Sequence, residues 1–230
     1  MTKEISTIKN ATSKEIATRK AQVGKGSENV TASDMAIPRL KLLQMISPEV
    51  TPGHAQQVEG ATAGMFMNSV TNELHNSIFV LNLNFSRKTV VWRKRKLGGG
   101  MVGTYENEVE ARTALQEQSL NEVDHDISEN PTHLVLMLDE SGVPKGVALL
   151  DMPGTKIKIS KKWNSLINDQ EEAGNPRFGC VWQLGVQSES NNSGNFFNCS
   201  VDFVAHAPED IYAAAQTAFT AFFGDDTPSE

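Results

Sequence analysis

The segment 78–95 constrains the fold more than any other part of the chain. Residues 78–85 are dense in apolar side chains, and Val90, Val91 and Trp92 follow after Ser86, Arg87 and Lys88. This pattern predicts one long, bent strand, or two strands joined tightly. The most apolar stretch, residues 78–83, is far shorter than the ~20 residues that cross a bilayer, so we expect no membrane partner.

Further strands are predicted on both sides of a central helix. Residues 133–150 and 181–205 are typical of hairpins, and Ile157 and Ile159 alternate with Lys156 and Lys158 as in a half-exposed strand. Residues 161–168 suggest a short helix, the Asn130–Pro131 pair should stop any element, and residues 211–223 predict a closing helix. The order favours a mainly β fold with flanking helices, an OB-like five-stranded Greek-key barrel with an N-terminal arm and a C-terminal helix. A split β-sandwich would give nearly the same order.

Charge is distributed in blocks, although the net charge is -7. Residues 85–100 hold six bases and no acid, whereas residues 105–140 hold ten acids and one base. The segments 1–25 and 145–162 are basic, and 202–230 is acidic. We therefore predict a mobile basic arm over 1–33, one domain over 34–224 with an acidic insertion near 105–130, and an acidic tail over 225–230.

The basic block of 85–100 contains an aromatic residue. In a strand, Lys88, Trp92 and Lys94 share one face, while Arg93 lies on the other. Cations that follow phosphates beside a ring that stacks on a base are what single-stranded nucleic acid requires. The competing interpretation is a solvated edge strand whose lysines prevent aggregation.

A second basic segment, 155–163, carries lysines and Trp163. Here the competing interpretation is an exposed strand with a buried tryptophan. The predicted DNA-binding residues from both segments are Arg87, Lys88, Trp92, Arg93, Lys94, Arg95, Lys96, Lys156, Lys158, Lys161, Lys162 and Trp163.

Signals for catalysis, metals or cofactors are weak. Asp139, Glu140 and Lys145 bracket a predicted turn and could belong to a metal-dependent nuclease. The Asp124–His125–Asp126 run could bind a metal, but it lies in the polar insertion. Phosphate-binding and nucleophile-elbow motifs are absent from the sequence, so we expect no enzyme, no cofactor and no metal. Cys180 and Cys199 should be small core residues.

Three stretches carry a resemblance to a known class of proteins. They are the run Asp34-Met35-Ala36-Ile37-Pro38-Arg39-Leu40-Lys41-Leu42-Leu43-Gln44, the segment Gly154–Trp163, and the hairpin Val181–Val204 with its closing helix. In these the chain resembles phage-encoded single-stranded DNA-binding proteins of the OB-fold type. The resemblance implies an OB barrel, sequence-independent DNA binding, and a role in phage DNA replication, recombination or repair. It also implies recruitment of partner proteins by the acidic C-terminus, although this chain lacks the usual terminal aromatic residue.

The preferred hypothesis is a non-catalytic protein that binds single-stranded DNA in the host bacterial cytoplasm, since the polar N-terminus lacks a secretory signal. It predicts that Trp92→Ala and Trp163→Ala weaken binding. The alternatives are a virion or protein-interaction protein that assembles through its charged blocks, and a metal-dependent nuclease. The sequence leaves homo-oligomerisation open.

Overall fold

The computed structural model of the protein describes residues 12–30, 34, 36–191 and 194–224. The strands are β1 (Leu40–Leu42), β2 (Phe66–Asn68), β3 (Leu74–His75), β4 (Ile78–Arg93), β5 (Met101–Tyr105), β6 (His125–Leu138), β7 (Pro144–Asp151), β8 (Cys180–Asn191) and β9 (Gly194–His206). The helices are α1 (Ser13–Thr18), α2 (Glu108–Glu117), α3 (Ile157–Glu172) and α4 (Glu209–Phe223). The acidic tail predicted over 225–230 lies outside the described residues.

The chain divides into two compact units, residues 1–36 and 37–230. In the first unit, α1 begins with a capping box: the Thr12 hydroxyl accepts from the Glu15 backbone N–H, and the Glu15 carboxylate accepts from the Thr12 backbone N–H. This local pairing stabilises the start of a helix within the segment that the sequence predicts to be an arm.

The second unit is built on a six-stranded antiparallel sheet. Its order is β7-β6-β4-β8-β9, and β5 pairs with the far end of β4 on the edge that β8 leaves open. A separate three-stranded sheet has the order β1-β2-β3. The long strand predicted from 78–95 is confirmed as β4, which bends where Leu83 forms a bulge opposite β6. The predicted hairpins correspond to β6-β7 and β8-β9, and the predicted closing helix corresponds to α4.

Both faces of the large sheet are apolar, and helices cover each of them. On one face, Val80, Val135 and Trp182 pack against Trp163 of α3. On the other face, Leu81, Leu83, Leu134, Leu136 and Leu138 pack against Ala215 of α4. Cys180 and Cys199 are buried free thiols, as expected of core residues.

The fold is mainly β, as predicted, but it is not a closed barrel. The described strands form an open sheet with β7 and β9 at its edges. A small barrel has an apolar interior and a solvated exterior, whereas β4 and β6 are buried on both faces and need a cover on each side.

Two local predictions are wrong. The strand predicted around Ile157 and Ile159 is the first turn of α3, because burial recurs at Ile159, Trp163 and Ile167, the four-residue spacing of a helix. The stop predicted at Pro131 does not occur, and β6 runs through it. The Pro131 carbonyl accepts from the Met152 N–H, so its backbone polar groups face away from β4, and the pairing with β4 needs no donor there.

Candidate nucleic-acid interface

The candidate interface lies where β4 continues beyond the helix-covered part of the sheet. There residues 87–93 of β4 pair with residues 125–131 of β6 on one side, and residues 89–92 pair with β5 on the other. We call these three paired segments the extension. Helix α2 covers one of its faces, where Val91 packs against Ala111 and Leu115 and all three side chains are fully buried.

Trp92 lies on the opposite face of the extension from Val91, because adjacent strand residues alternate. Its side chain is 44% exposed, and its Cα partners are Met101 on β5 and Asp126 on β6. Met101 is 62% exposed. The extension thus presents a tryptophan beside a methionine on a face that α2 does not cover.

The cations that follow Trp92 lie in a tight turn. β4 ends at Arg93, residues 95–97 form one short 3₁₀ turn, and Gly98 ends it with a positive φ of 96°. The Arg93 N–H then donates to the Gly100 carbonyl at 2.9 Å as the chain returns into β5. Arg95 and Lys96 are therefore held next to the strand end, and both are exposed.

Acidic residues pair with half of the cations in this block. Arg87 lies 3.4 Å from Glu129, Lys94 lies 3.9 Å from Asp126, and Lys88 binds Glu106. Among the described residues, Arg93, Arg95 and Lys96 have no ion-pair partner. The unneutralised charge of this block therefore lies at the end of β4 and in the turn that follows it.

The second predicted segment has a different environment. Trp163 has no exposed surface and stacks on the ring of His133 at 4.6 Å, so it presents no ring to a base. Its inclusion among the predicted DNA-binding residues is wrong, because the four-residue burial pattern of α3 directs it into the core. Burial lowers the pKa of Lys156, and Lys158 binds Glu189 at 3.0 Å. Lys161 and Lys162 are exposed on α3.

The two basic segments do not form one surface. Phe85 contacts His133, which packs against α3, so Phe85 marks the face of the sheet that α3 covers. Trp92 follows seven residues later along an uninterrupted stretch of pairing with β6, on the other face. Seven residues of strand span about 23 Å. The α3 lysines and the extension are thus separate candidate surfaces.

Comparison with known proteins assigns the chain to a family. The model of the Pam3 phage gp34-like protein family matches residues 8–227. The chain belongs to this family. No curated protein and no solved structure matches it. The phage character expected from the sequence agrees with the family's name, and the match spans both the extension and α3.

In this Pam3 phage gp34-like chain, a buried Ser–His pair invites comparison with hydrolases. His133 Nε2 lies 2.8 Å from Ser160 Oγ, and both residues are buried. Arg177 donates to Asn82 Oδ1 at 3.1 Å, which leaves Asn82 Nδ2 to donate to His133 Nδ1 at 2.8 Å. His133 Nε2 therefore carries the proton and donates to Ser160, the reverse of what a general base requires. Burial, and then the charge of Arg177, lowers the pKa of His133 to about 3, so the ring is neutral.

The three residues of the nuclease hypothesis lie around the β6-β7 turn. Asp139 Oδ1 accepts from the backbone N–H groups of Ser141 and Val143, which closes the β6-β7 turn. Asp139, Glu140 and Lys145 all line one cleft of about 760 Å³. Within 12–30, 34, 36–191 and 194–224, no three His, Cys, Asp or Glu side chains are placed to share a metal ion.

The run from Asp124 to Asp126 is likewise dispersed. His125 points inward and its Nδ1 is 2.7 Å from the Asn121 carbonyl, while Asp126 pairs with Lys94. No helix in the described part of the chain is long and apolar enough to cross a membrane.

Sequence reasoning missed Met101 and the ion pairs. Nothing in the local sequence marks Met101, because its position opposite Trp92 depends on the register between β4 and β5. The acidic block was visible in the sequence, but its alignment with the cations of β4 depends on strand pairing over 18 to 42 residues of chain.

Proposed function

We propose that this protein binds single-stranded DNA without sequence preference and without catalysis, in phage DNA replication, recombination or repair. One observation carries the proposal: the exposed ring of Trp92 is followed along the chain by three cations that have no ion-pair partner among the described residues, Arg93 at the end of β4 and Arg95 and Lys96 in the next turn. A stacked base contributes about 1–3 kcal/mol, and cations that neutralise phosphates add salt-dependent affinity.

The chemistry of this surface favours a single strand. A tryptophan that protrudes from a sheet face can stack only on a base whose own face is available, and in a duplex the neighbouring bases occupy that position. Lysine and arginine side chains that meet phosphates carry no sequence information. We therefore expect the affinity to depend little on the types of base in the strand.

The open sheet gives this proposal no support from an OB barrel, and we rest it on the extension alone. Lys161 and Lys162 of α3 remain candidates for a second phosphate contact, on the other side of the sheet.

A fluorescence titration tests the proposal directly. Trp163 and Trp182 are buried, so quenching by an oligonucleotide reports mainly on Trp92. We expect single-stranded DNA, but not duplex DNA, to quench this fluorescence, and added salt to weaken the effect. Trp92→Phe should abolish the quenching. Anisotropy of a labelled oligonucleotide gives a second measure of binding for that variant. Anisotropy of a labelled oligonucleotide that stays flat over the titration at low salt would overturn the proposal, and a gel of the same samples shows whether the DNA is degraded.

The assembly alternative has one specific observation in its favour. β9 is an edge strand that contains no lysine or arginine and exposes Phe203 and Val204. Asp202 is the one charged side chain of this strand, and an edge with so little charge can pair with another chain along the residues that Gln44 does not cover. Two results together would favour this function: stable self-association in light scattering that Val204→Lys abolishes, and no binding of DNA.

A further inference from the structure

The acidic block lies against the basic block in a specific pairing. Glu106, Asp126 and Glu129 each meet one cation of the β4 segment, Lys88, Lys94 and Arg87 respectively. Glu106 follows β5, whereas Asp126 and Glu129 lie on β6, so two different neighbouring strands supply the acids. The chain on each side of β4 thus brings carboxylates to three cations of the basic block, next to the three unpaired cations on which the proposed function rests.

Carboxylates and phosphates compete for the same donors. Both are anionic oxygen acceptors for lysine and arginine. The three acids are between 47% and 65% exposed, so a phosphate can displace each carboxylate into water without burying its charge. Exposed pairs of this kind are individually weak, and displacement is therefore inexpensive.

We propose that Glu106, Asp126 and Glu129 act as internal competitors of DNA phosphates and so determine the affinity and the salt dependence of binding. This inference rests on the proposed function. It assigns to the acidic block a role at the binding surface that is distinct from the role of the acidic C-terminus.

The inference has a quantitative consequence. Single-stranded nucleic acid gives a slope of log K against log salt of about -0.7 for each neutralised phosphate. When a carboxylate leaves its cation, it gathers a counterion, which offsets the ion released by the phosphate. Three cations without partners then give a slope of about -2, and six cations without partners give about -4.

The experiment compares two triple variants of the full chain. E106Q/D126N/E129Q releases the three paired cations. E117Q/E140Q/D169N removes the same three negative charges from exposed side chains that have no ion pair among the described residues, and so controls for net charge. Anisotropy of a labelled oligo-dT, measured over a series of salt concentrations, gives the dissociation constant and slope of each protein.

We expect E106Q/D126N/E129Q to bind about tenfold more tightly at low salt than the wild type, with the steeper slope. The control should bind with nearly the wild-type slope. If the wild type binds and both triple variants change equally, long-range charge explains the effect and the inference is overturned. If no protein binds, the proposed function itself fails, and thermal melts verify that each variant is folded.

Discussion

Trp92 lies directly opposite Met101 across the β4-β5 pair, and both side chains are exposed. Residues in such cross-strand positions have Cβ atoms about 5 Å apart. The pair forms an apolar platform on the extension, on the face that α2 leaves uncovered.

Met101→Ala should weaken binding of single-stranded DNA by about two- to tenfold, because it removes the exposed apolar side chain that lies opposite Trp92. Trp92→Ala should cost more, about five- to 150-fold, because it removes the stacking ring itself. Val109→Ala, which shortens an exposed apolar side chain on α2, serves as the control and should leave the dissociation constant unchanged. Equal affinities for wild type and Met101→Ala would remove Met101 from the interface.

The parts of the fold that local pattern determines are predictable from the sequence. The apolar density of 78–85 identifies β4, and the acids before residue 211 indicate the start of α4. The failures involve competition between signals or distant pairing. Two alternating isoleucines at 157 and 159 suggest a strand, but Trp163 and Ile167 extend the longer helical period. The position of Met101 follows from register, which no short segment of sequence specifies.

Trp163 and Trp92 should separate stability from binding. Trp163→Phe removes part of a fully buried ring that stacks on His133 and meets Trp182 edge-on at 6.1 Å. It should lower the free energy of unfolding by less than the roughly 3–5 kcal/mol that is typical of a buried Trp→Ala change. Its dissociation constant for single-stranded DNA should match the wild type. Trp92→Phe should weaken DNA binding and leave the free energy of unfolding nearly unchanged. Urea denaturation measures the stability of each variant, and anisotropy measures its affinity.

Stability should decrease as the pH falls below 6.5, in part because of His133. Its pKa is about 3 in the folded protein, below the usual value of 6.5. The unfolded chain therefore binds an additional proton between these values, and stability is fully present above pH 6.5 and declines toward pH 3. Each pH unit in this window costs about 1.4 kcal/mol.

Urea denaturation at pH 7 and pH 5 measures this loss. His133→Gln should be less stable at pH 7 but should lose less stability on acidification. His54→Gln changes an exposed histidine and should retain the wild-type difference between the two pH values. An unchanged pH difference in His133→Gln would contradict the assignment.

Both cysteines should be unreactive in the folded protein. Burial raises the pKa of Cys199 to about 11 and also raises that of Cys180. At pH 8 a thiol with a pKa of about 11 is ionised in about one molecule per thousand, and the thiolate is the reactive form. A disulfide reagent should therefore label neither thiol in native buffer and both in urea. Rapid labelling of Cys199 in native buffer would show that the β8-β9 hairpin opens.

Gln44 completes the edge of β9 by imitating a neighbouring strand. Its Nε2 donates to the Phe197 carbonyl at 2.9 Å, and its Oε1 accepts from the Phe197 N–H at 2.9 Å. Gln44→Ala leaves both backbone groups of Phe197 without these partners, and we expect a loss of about 1–3 kcal/mol in the free energy of unfolding.

Gln44→Glu distinguishes these two bonds from simple packing. At pH 7 the new carboxylate can accept from the Phe197 N–H, but its second oxygen faces the Phe197 carbonyl without a proton. Protonation at lower pH restores a donor, so the stability of Gln44→Glu relative to Gln44→Ala should rise between pH 7 and pH 4. Because the two variants share every other titrating group, their difference isolates position 44. A difference that is constant with pH would mean that side-chain packing, rather than the strand-like pair of hydrogen bonds, holds Gln44 against β9.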